Sequence, residues 1–222
     1  MTPTPIQPNT LGLPEFIWLA SKSPRRKELV STLGINAQVF LAQTGPEAER
    51  LEDPLPEEDP LAYVQRVTLL KLKLAMEGLQ KCLANEGHQR LGNNIVLASD
   101  TTVAMHQQIL GKPQSPVEAE QMLQTLSGQT HQVHTGVAVG LLATGQVFQT
   151  VQTSEVEFAA LPPEFIEAYI RSGEPFDKAG AYGIQGIAGR YIRRISGSHS
   201  GIMGLPLFET AELLRQAMSN QE

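Results

Sequence analysis

The first part of the chain alternates short apolar runs with amphipathic stretches, a pattern typical of strands followed by helices. Residues 16–20 form an apolar run that predicts a buried strand. After this run, Ser23 is suited to the N-cap of a helix and Pro24 to its first position. Gly34 ends that helix, and the alternating apolar positions of residues 35–41 predict a second strand.

The middle of the chain repeats this alternation with longer elements. The acidic, proline-rich residues 43–60 predict a surface loop, and the pair Asp59-Pro60 opens a long helix that reaches about residue 83. Residues 95–99 predict a second buried strand, which ends before Asp100. A capping box at residues 115–118 opens another helix.

The second half of the chain predicts a hairpin, a helix, a strand and a closing helix, at residues 133–158, 162–173, 191–195 and 206–218. Because strands and helices alternate early and a hairpin lies in the middle, the pattern predicts an α/β fold with a mixed sheet, arranged in two lobes. Residues 1–14 contain four prolines and are interpreted as a flexible N-terminal leader, so residues 15–222 form a single domain.

The composition limits which ligands the protein is expected to bind and in which cellular compartment it is expected to lie. The formal net charge is −6, so no global basic field favours nucleic acid, and an anionic ligand needs a local cluster of cations. The apolar runs are far shorter than the roughly 20 residues of a membrane span. A single cysteine, Cys82, excludes an internal disulfide framework and a cysteine-based zinc site. A cytoplasmic protein is therefore expected.

The loop after the first strand is the first candidate site. Residues 21–26 read SKSPRR and lead into a helix, so free backbone N–H groups and the positive end of the helix dipole meet Lys22, Arg25 and Arg26. Arginine also binds phosphate in bidentate fashion. The alternative is a capped surface helix with scattered basic residues. The glycines of a Walker loop are absent.

Two charged side chains adjoin apolar runs. Asp100 follows a buried strand, where ligands commonly bind in α/β sheets, and it would ligate Mg²⁺ or orient water; the alternative is a turn-capping aspartate. Lys71 shares an apolar helix face, so it needs an anionic partner unless it reaches solvent by snorkelling. Lys73 lies on another face and is interpreted as solvated.

Three later segments add donors and flexible backbone. Lys112 lies in the tight turn Gly111-Lys112-Pro113, and the polar residues 127–131 follow a helix end. Residues 177–186 read DKAGAYGIQG, in which the glycines allow close approach to a ligand while Lys178 and Gln185 offer donors for phosphate and base. A structural turn is the alternative there. Cations clustered around a carboxylate on an acidic protein together indicate a small polyanion and a divalent metal.

Several runs of the sequence closely resemble the Maf family of nucleotide pyrophosphatases. They are LASKSPRRKELVSTLGI, LASDTTVAMHQQILGKPQSPVEAEQMLQTLSGQTHQVHTGVAV, GEPFDKAGAYGIQG and GSHSGIMGLPLFET, and they cover most of residues 19–214. The resemblance implies an elongated mixed sheet with a cleft between two lobes and, in many members, a homodimer. It also implies hydrolysis of a nucleoside triphosphate to the monophosphate and pyrophosphate with Mg²⁺ or Mn²⁺.

The resemblance also assigns roles by position. Asp100 resembles the family's general base, which activates the attacking water. The phosphate-facing residues of the family are matched by Ser21, Arg25, Arg26, Lys71 and Lys112. The form of the 177–186 loop resembles the branch acting on dTTP and UTP rather than the branch acting on 7-methyl-GTP. In the branch acting on dTTP and UTP, substrate choice is linked to the residues matched here by Arg25, Thr101 and Gln185.

The sequence departs from the family where a metal-ligand glutamate is expected. The family has an Asp-x-Asp-Glu segment after the second strand, whereas residues 43–49 read QTGPEAE. Glu47 is the metal ligand that we assign beside Asp100, with Glu49 as the alternative and a plain acidic loop as the third interpretation. Two other functions remain as alternatives. An enzyme of the same broad class would be a pyrophosphatase for inosine or xanthosine triphosphates. The altered metal-glutamate region is compatible with a non-catalytic nucleotide-binding regulator linked to cell division.

Overall fold

A computed structural model describes residues 12–42, 52–85 and 95–220. In those ranges it contains seven strands and six α-helices. Strands β1 to β7 span Phe16–Leu19, Asn36–Val39, Ile95–Met105, Gln108–Leu110, Thr130–Leu141, Val147–Phe158 and Ile192–Ser196. Helices α1 to α6 span Pro24–Thr32, Pro60–Asn85, Pro116–Leu126, Pro163–Arg171, His199–Met203 and Leu207–Ser219.

The seven strands form one mixed sheet. Its order is β2-β1-β3-β5-β6-β7, with β4 paired to β3. Strand β1 runs parallel to β2 and β3, while the remaining pairs are antiparallel. The predicted α/β fold with a mixed sheet and flanking helices is therefore confirmed, whereas its division into two lobes around a cleft stays a prediction.

Strand β3 continues past the point where the sequence predicted its end. Strand β1 pairs with it only at Val96 and Leu97, but β5 pairs with it from Ile95 to Ala104. Asp100 therefore lies inside an eleven-residue strand, and the predicted end before Asp100 is wrong. The polar residues at 99–102 interrupt the apolar run, but pairing with β5 keeps their backbone extended. Because β1 stops earlier, the sheet is open beside Asp100.

Local capping signals place two helices as predicted. The Ser23 hydroxyl accepts a bond from the backbone N–H of Arg26 at the start of α1, and Ser115 caps α3 through the N–H of Glu118. The Glu118 carboxylate accepts a hydrogen bond from the N–H of Gln114, one residue before the N-cap Ser115. The reciprocal bond of the predicted capping box is therefore made by Gln114 and not by Ser115. The apolar side of α3 is buried, at Ala119, Met122, Leu123 and Leu126.

Helix α2 lies close against β5 because two glycines leave room for it. A Cβ added at Gly136 would lie 2.3 Å from Thr68 Oγ1, and one added at Gly140 would lie 2.3 Å from Met76 Sδ. Gly136 pairs with Asp100 across the β3–β5 ladder. The helix that carries Lys71 therefore packs closely on the sheet beside Asp100.

Strand β2 forms an edge among the described strands, and its outer part is exposed. Ile35 is buried, but Val39 and Leu41 are 39 % and 36 % exposed. Within the described residues β2 has a neighbour on one side only, β1, so less of the sheet covers its side chains. The leader was predicted at residues 1–14, of which residues 1–11 lie outside the described residues, while Leu13 packs into the core that contains β1 and α6. None of the described helices has the length and hydropathy of a membrane span.

Candidate functional site

A cavity of about 410 Å³ opens beside the end of β1. Its walls come from the β1–α1 loop, α2, the middle of β3, the 177–185 segment and the end of α5. It collects nine of the candidate residues, which are Ser21, Arg25, Arg26, Lys71, Asp100, Thr101, Lys112, Lys178 and Gln185. The structure therefore brings together side chains that are spread over more than 160 positions of the sequence.

Arg26 connects three walls of this cavity. Its Nε donates to the carbonyl of Gly204 at 2.9 Å, Nη1 donates to Ser21 Oγ at 3.3 Å and Nη2 donates to Thr101 Oγ1 at 3.2 Å. Burial lowers the pKa of the Arg26 guanidinium, and the nearby Asp100 carboxylate opposes that shift. Arginine remains charged in proteins, so this cation stays fixed at the base of the β1–α1 loop.

Asp177 holds two of the candidate cations at the cavity mouth. Its carboxylate accepts a bond from Arg25 Nη1 at 3.2 Å and another from Lys178 Nζ. Lys178 also donates to the carbonyl of Glu174 at 2.5 Å. Burial raises the pKa of Asp177, but the two cations outweigh it and the net shift is downward. A bound phosphate would compete with Asp177 for Arg25 and Lys178.

Lys71 bridges two carboxylates inside the cavity. Its Nζ lies 2.6 Å from Asp100 Oδ1 and 2.8 Å from Glu52 Oε2. Lys71 therefore has anionic partners and does not merely snorkel to solvent. Glu52 was not among the predicted site residues, because it stands in a run of acidic residues with no local pattern to distinguish it. Glu47 and Glu49, the predicted metal-ligand glutamates, lie outside the described residues.

The other candidates occupy the rim and floor. Lys112 and Gln185 are exposed at the rim, and a bond from the N–H of Gly180 to the carbonyl of Gly111 joins their two loops. Thr101 lies on the floor, where its hydroxyl accepts bonds from Arg26 and from Thr135. The floor is thus a hydrogen-bonded network, and the two rim donors remain accessible.

An apolar wall completes the cavity, and the sequence did not predict it. It is formed by Phe40, Leu70, Leu74, Ile184 and Met203. Ligand pockets commonly combine such a wall with a few polar groups that fix orientation. The cavity can therefore hold a ligand with an anionic part among the cations and a flat, less polar part against the wall.

His131 supports the loop that carries Lys178 and Gln185. Its Nε2 is hydrogen-bonded to the Tyr182 hydroxyl at 2.7 Å, and its ring stacks on Phe158. Tyr182 lines the cavity, and burial raises the pKa of its phenol. Burial lowers the pKa of His131 to about 4, and its buried Nδ1 has no hydrogen-bond partner in the described part of the chain.

Acid should weaken the fold through His131. Its pKa is 6.5 in the unfolded chain and about 4 when folded, so between these values only the unfolded chain binds the proton. The unfolding free energy should therefore fall by about 1.4 kcal/mol per pH unit from pH 6.5 towards 4 on account of this group. Urea unfolding of His131→Gln should show a smaller loss of stability over this range than the wild type. His199→Gln, at an exposed histidine, is the control; equal pH slopes for wild type and His131→Gln would contradict the assignment.

Comparisons with known proteins agree with one another. The family model described as Maf-like protein matches residues 16–217. The dTTP/UTP pyrophosphatase of Albidiferax ferrireducens is 47 % identical over 201 residues, covering 90 % of this chain and 96 % of the relative. The protein of that name from Cupriavidus metallidurans is 48 % identical over 202 residues, covering 91 % and 96 %. The one from Nitrosomonas europaea is 47 % identical over 208 residues, covering 90 % and 93 %.

Proposed function

This chain belongs to the Maf-like family, and from that premise we propose that it hydrolyses dTTP and UTP to the nucleoside monophosphate and pyrophosphate. It is a hydrolase of phosphoanhydride bonds. A homodimer and a cytoplasmic location are part of the proposal. So is a site in which Arg25, Thr101 and Gln185 select the nucleotide.

The observation that carries this proposal is the composition of the cavity. Its polar side gathers six cations around a carboxylate pair, on a protein whose net charge is −6. The cations are Lys22, Arg25, Arg26, Lys71, Lys112 and Lys178. A triphosphate satisfies such a cluster, because arginine and lysine bind phosphate oxygens and no general basic surface is needed.

The same carboxylate pair fits a divalent cation. Glu52 Oε2 and Asp100 Oδ1 are hard oxygen donors that both lie within 2.8 Å of the Lys71 nitrogen. The described residues contain no group of three or more metal-binding side chains, so the protein would supply only part of a coordination shell. Mg²⁺ is usually bound in this way, by one or two carboxylates together with phosphate oxygens and water. When bound, the metal would neutralise charge that develops on the phosphates.

Asp100 is the residue we assign to proton transfer. Its carboxylate is part of the cavity and is oriented by the ammonium group of Lys71 at 2.6 Å. In the proposed reaction a water oxygen attacks the α-phosphorus while Asp100 takes the water proton. The bond from that phosphorus to the bridging oxygen breaks, and the electron pair leaves on pyrophosphate.

The cations act on the charge of that leaving group. Lys71 lies beside Asp100, and the β1–α1 loop offers Arg25 and backbone N–H groups at the start of α1. Lys112 and Lys178 approach from the opposite loops. Lys71 is already held beside Asp100 before the reaction, so it stabilises the transition state without reorganisation, whereas Arg25 and Lys178 exchange Asp177 for phosphate oxygens.

Pyrophosphate release from a nucleotide panel tests the proposal. With Mg²⁺, dTTP and UTP should exceed ATP, GTP, ITP and XTP in kcat/KM by on the order of tenfold or more, because a site that hydrogen-bonds one base rejects another. Faster turnover of ITP or XTP would favour a pyrophosphatase for non-standard nucleotides. Saturable binding of dTTP or UTP with no pyrophosphate product would favour a non-catalytic regulator linked to cell division, and would contradict the proposed activity.

A further inference from the structure

Glu52 reaches the cavity from a segment that has no strand or helix of its own. Residues 52–59 precede α2 as turns and irregular backbone, yet Glu52 Oε2 is held 2.8 Å from Lys71 Nζ. Without contacts that fix this backbone, ordering the segment would cost conformational entropy for each residue. The contacts that hold residues 52–58 therefore decide where the Glu52 carboxylate stands.

The segment closes on itself around Glu58. The N–H of Glu58 donates to the carbonyl of Leu55 at 3.1 Å, and the N–H of Leu55 donates back to Glu58 Oε2 at 2.9 Å. Pro54 and Pro56 flank Leu55 and restrict the backbone further. The result is a compact turn that presents the Glu58 carboxylate to α2.

Arg66 on α2 binds this turn through a fork of hydrogen bonds. Its Nε lies 2.6 Å from Glu58 Oε1, its Nη2 lies 2.7 Å from Glu58 Oε2, and Nη2 also donates to the carbonyl of Asp53 at 3.0 Å. The side chain of Glu58 is only 8 % exposed. Bidentate arginine–carboxylate pairs are the ion pairs with the most defined geometry. Arg66 thus fixes both ends of the segment that follows Glu52.

Tyr63 fixes the backbone of Glu52 itself. Its hydroxyl donates to the carbonyl of Glu52 at 2.9 Å, and the Arg66 guanidinium lies 5.7 Å from the centre of its ring. Burial, with Asp100 and Glu52 nearby, raises the pKa of Tyr63, so the phenol keeps the proton that it donates. Tyr63, Arg66 and Lys71 all belong to α2, so one rigid helix carries both these contacts and the amine that Glu52 meets.

We propose that Arg66, acting with Glu58 and Tyr63, is a positioning residue that holds the Glu52 carboxylate in the divalent-cation site beside Asp100. The three side chains, named here the α2 clasp, are not part of the cavity lining themselves, and they act on it through Glu52 and its segment. The inference rests on the proposed function, because it takes Glu52 as a metal ligand. Substitutions of residues that position metal ligands typically weaken metal affinity by about 10- to 100-fold.

A double-mutant cycle with a binding readout tests the clasp. The variants are Arg66→Lys, which keeps the charge but loses the fork, Glu52→Gln, and the two combined. Bound Mn²⁺ is measured from the electron paramagnetic resonance of the free ion, with α,β-imido-dUTP at a fixed saturating concentration and a nucleotide-only blank. Arg66→Lys should weaken Mn²⁺ binding by about 10- to 100-fold in the wild-type background and should add nothing in the Glu52→Gln background.

Two controls separate positioning from general damage. Arg171→Lys makes the same change at an exposed helix arginine paired with Glu167, and it should leave Mn²⁺ binding unchanged. Tyr63→Phe removes only the bond to the Glu52 carbonyl, so it should weaken binding in the same direction by a smaller factor. Thermal unfolding followed by circular dichroism establishes that each variant is folded.

The outcomes distinguish this inference from the proposed function. If Glu52→Gln weakens Mn²⁺ binding but Arg66→Lys does not, the clasp is overturned and the metal role of Glu52 stands. An equal effect of Arg66→Lys in both backgrounds also overturns it, because Arg66 would then act independently of Glu52. If Glu52→Gln leaves binding unchanged, the metal role of Glu52 fails and the clasp fails with it, while pyrophosphate release is still judged by the nucleotide panel.

Discussion

Asp100→Asn should lower kcat for dTTP and UTP by about 10²- to 10⁴-fold, the range of a lost general base. The amide is nearly the same size as the carboxylate, but it cannot accept the proton of the attacking water. It also removes a negative charge that lies 2.6 Å from Lys71. The measurement is pyrophosphate release at saturating nucleotide and Mg²⁺, which separates the change in kcat from any change in binding.

A matched variant tests whether the effect depends on position. Glu120→Gln neutralises an exposed carboxylate on α3 that is not part of the cavity, and its kcat should equal that of the wild type. Both variants should keep the wild-type fold, as judged by circular dichroism. Wild-type turnover in Asp100→Asn would remove Asp100 from the role of base and leave the cavity without an assigned proton acceptor.

Lys71→Met should lower kcat by about 10²- to 10³-fold, the effect of losing one preorganised donor to developing charge. Methionine keeps much of the side-chain length, so the apolar contacts of the Lys71 stem are largely retained. The ammonium group, however, is lost from between Glu52 and Asp100, and the two carboxylates then repel each other. Pyrophosphate release against nucleotide concentration gives both kcat and KM.

Lys73 provides the control on the same helix. It is exposed and lies on a different face of α2, so Lys73→Met makes an identical chemical change two residues away. Its kcat should match the wild type. Equal losses in the two variants would show that the helix responds to any lost charge, and would contradict a specific role for the Lys71 ammonium group.

Local patterns were sufficient for most of the fold. The start of α1 follows from Ser23 and Pro24, and the hairpin of β5 and β6 follows from two long runs of strand residues around a glycine turn. These signals act within a few residues, so they can be read without knowing the tertiary structure. Helix α5 was missed because its five residues are too few to show a helical period.

The features that were predicted wrongly or not at all depend on pairing between distant parts of the chain. The position of Asp100 within β3 depends on β5, whose residue Gly136 pairs with Asp100 from 36 positions further along the chain. The exposure of Val39 depends on β2 having a neighbour on one side only among the described strands. Neither fact leaves a trace in the neighbouring residues, so the apolar pattern alone pointed to the wrong boundary and did not reveal which side chains of β2 are exposed.

The residues of the candidate site were likewise predictable only where they have a local sequence signature. Its cations were identified from the β1–α1 loop, from an apolar helix face and from glycine-rich turns, each of which has a local signature. Glu52 has none, because it is one of many carboxylates in an acidic stretch and is singled out only by the contacts of Tyr63 and Arg66 with its segment. The apolar wall was missed for a related reason, since Phe40 and Met203 come from opposite parts of the chain.

The link from Arg26 to the carbonyl of Gly204 joins residues 178 positions apart, and the pair formed by Arg25 and Asp177 spans 152. A site with such high contact order is complete only when the whole domain has folded, so no fragment of the chain would bind nucleotide. Binding and folding are consequently linked. A nucleotide at a hundred times its dissociation constant would add about 2.7 kcal/mol to the unfolding free energy. Resistance to heat and to proteases should therefore rise and fall with the substrate supply.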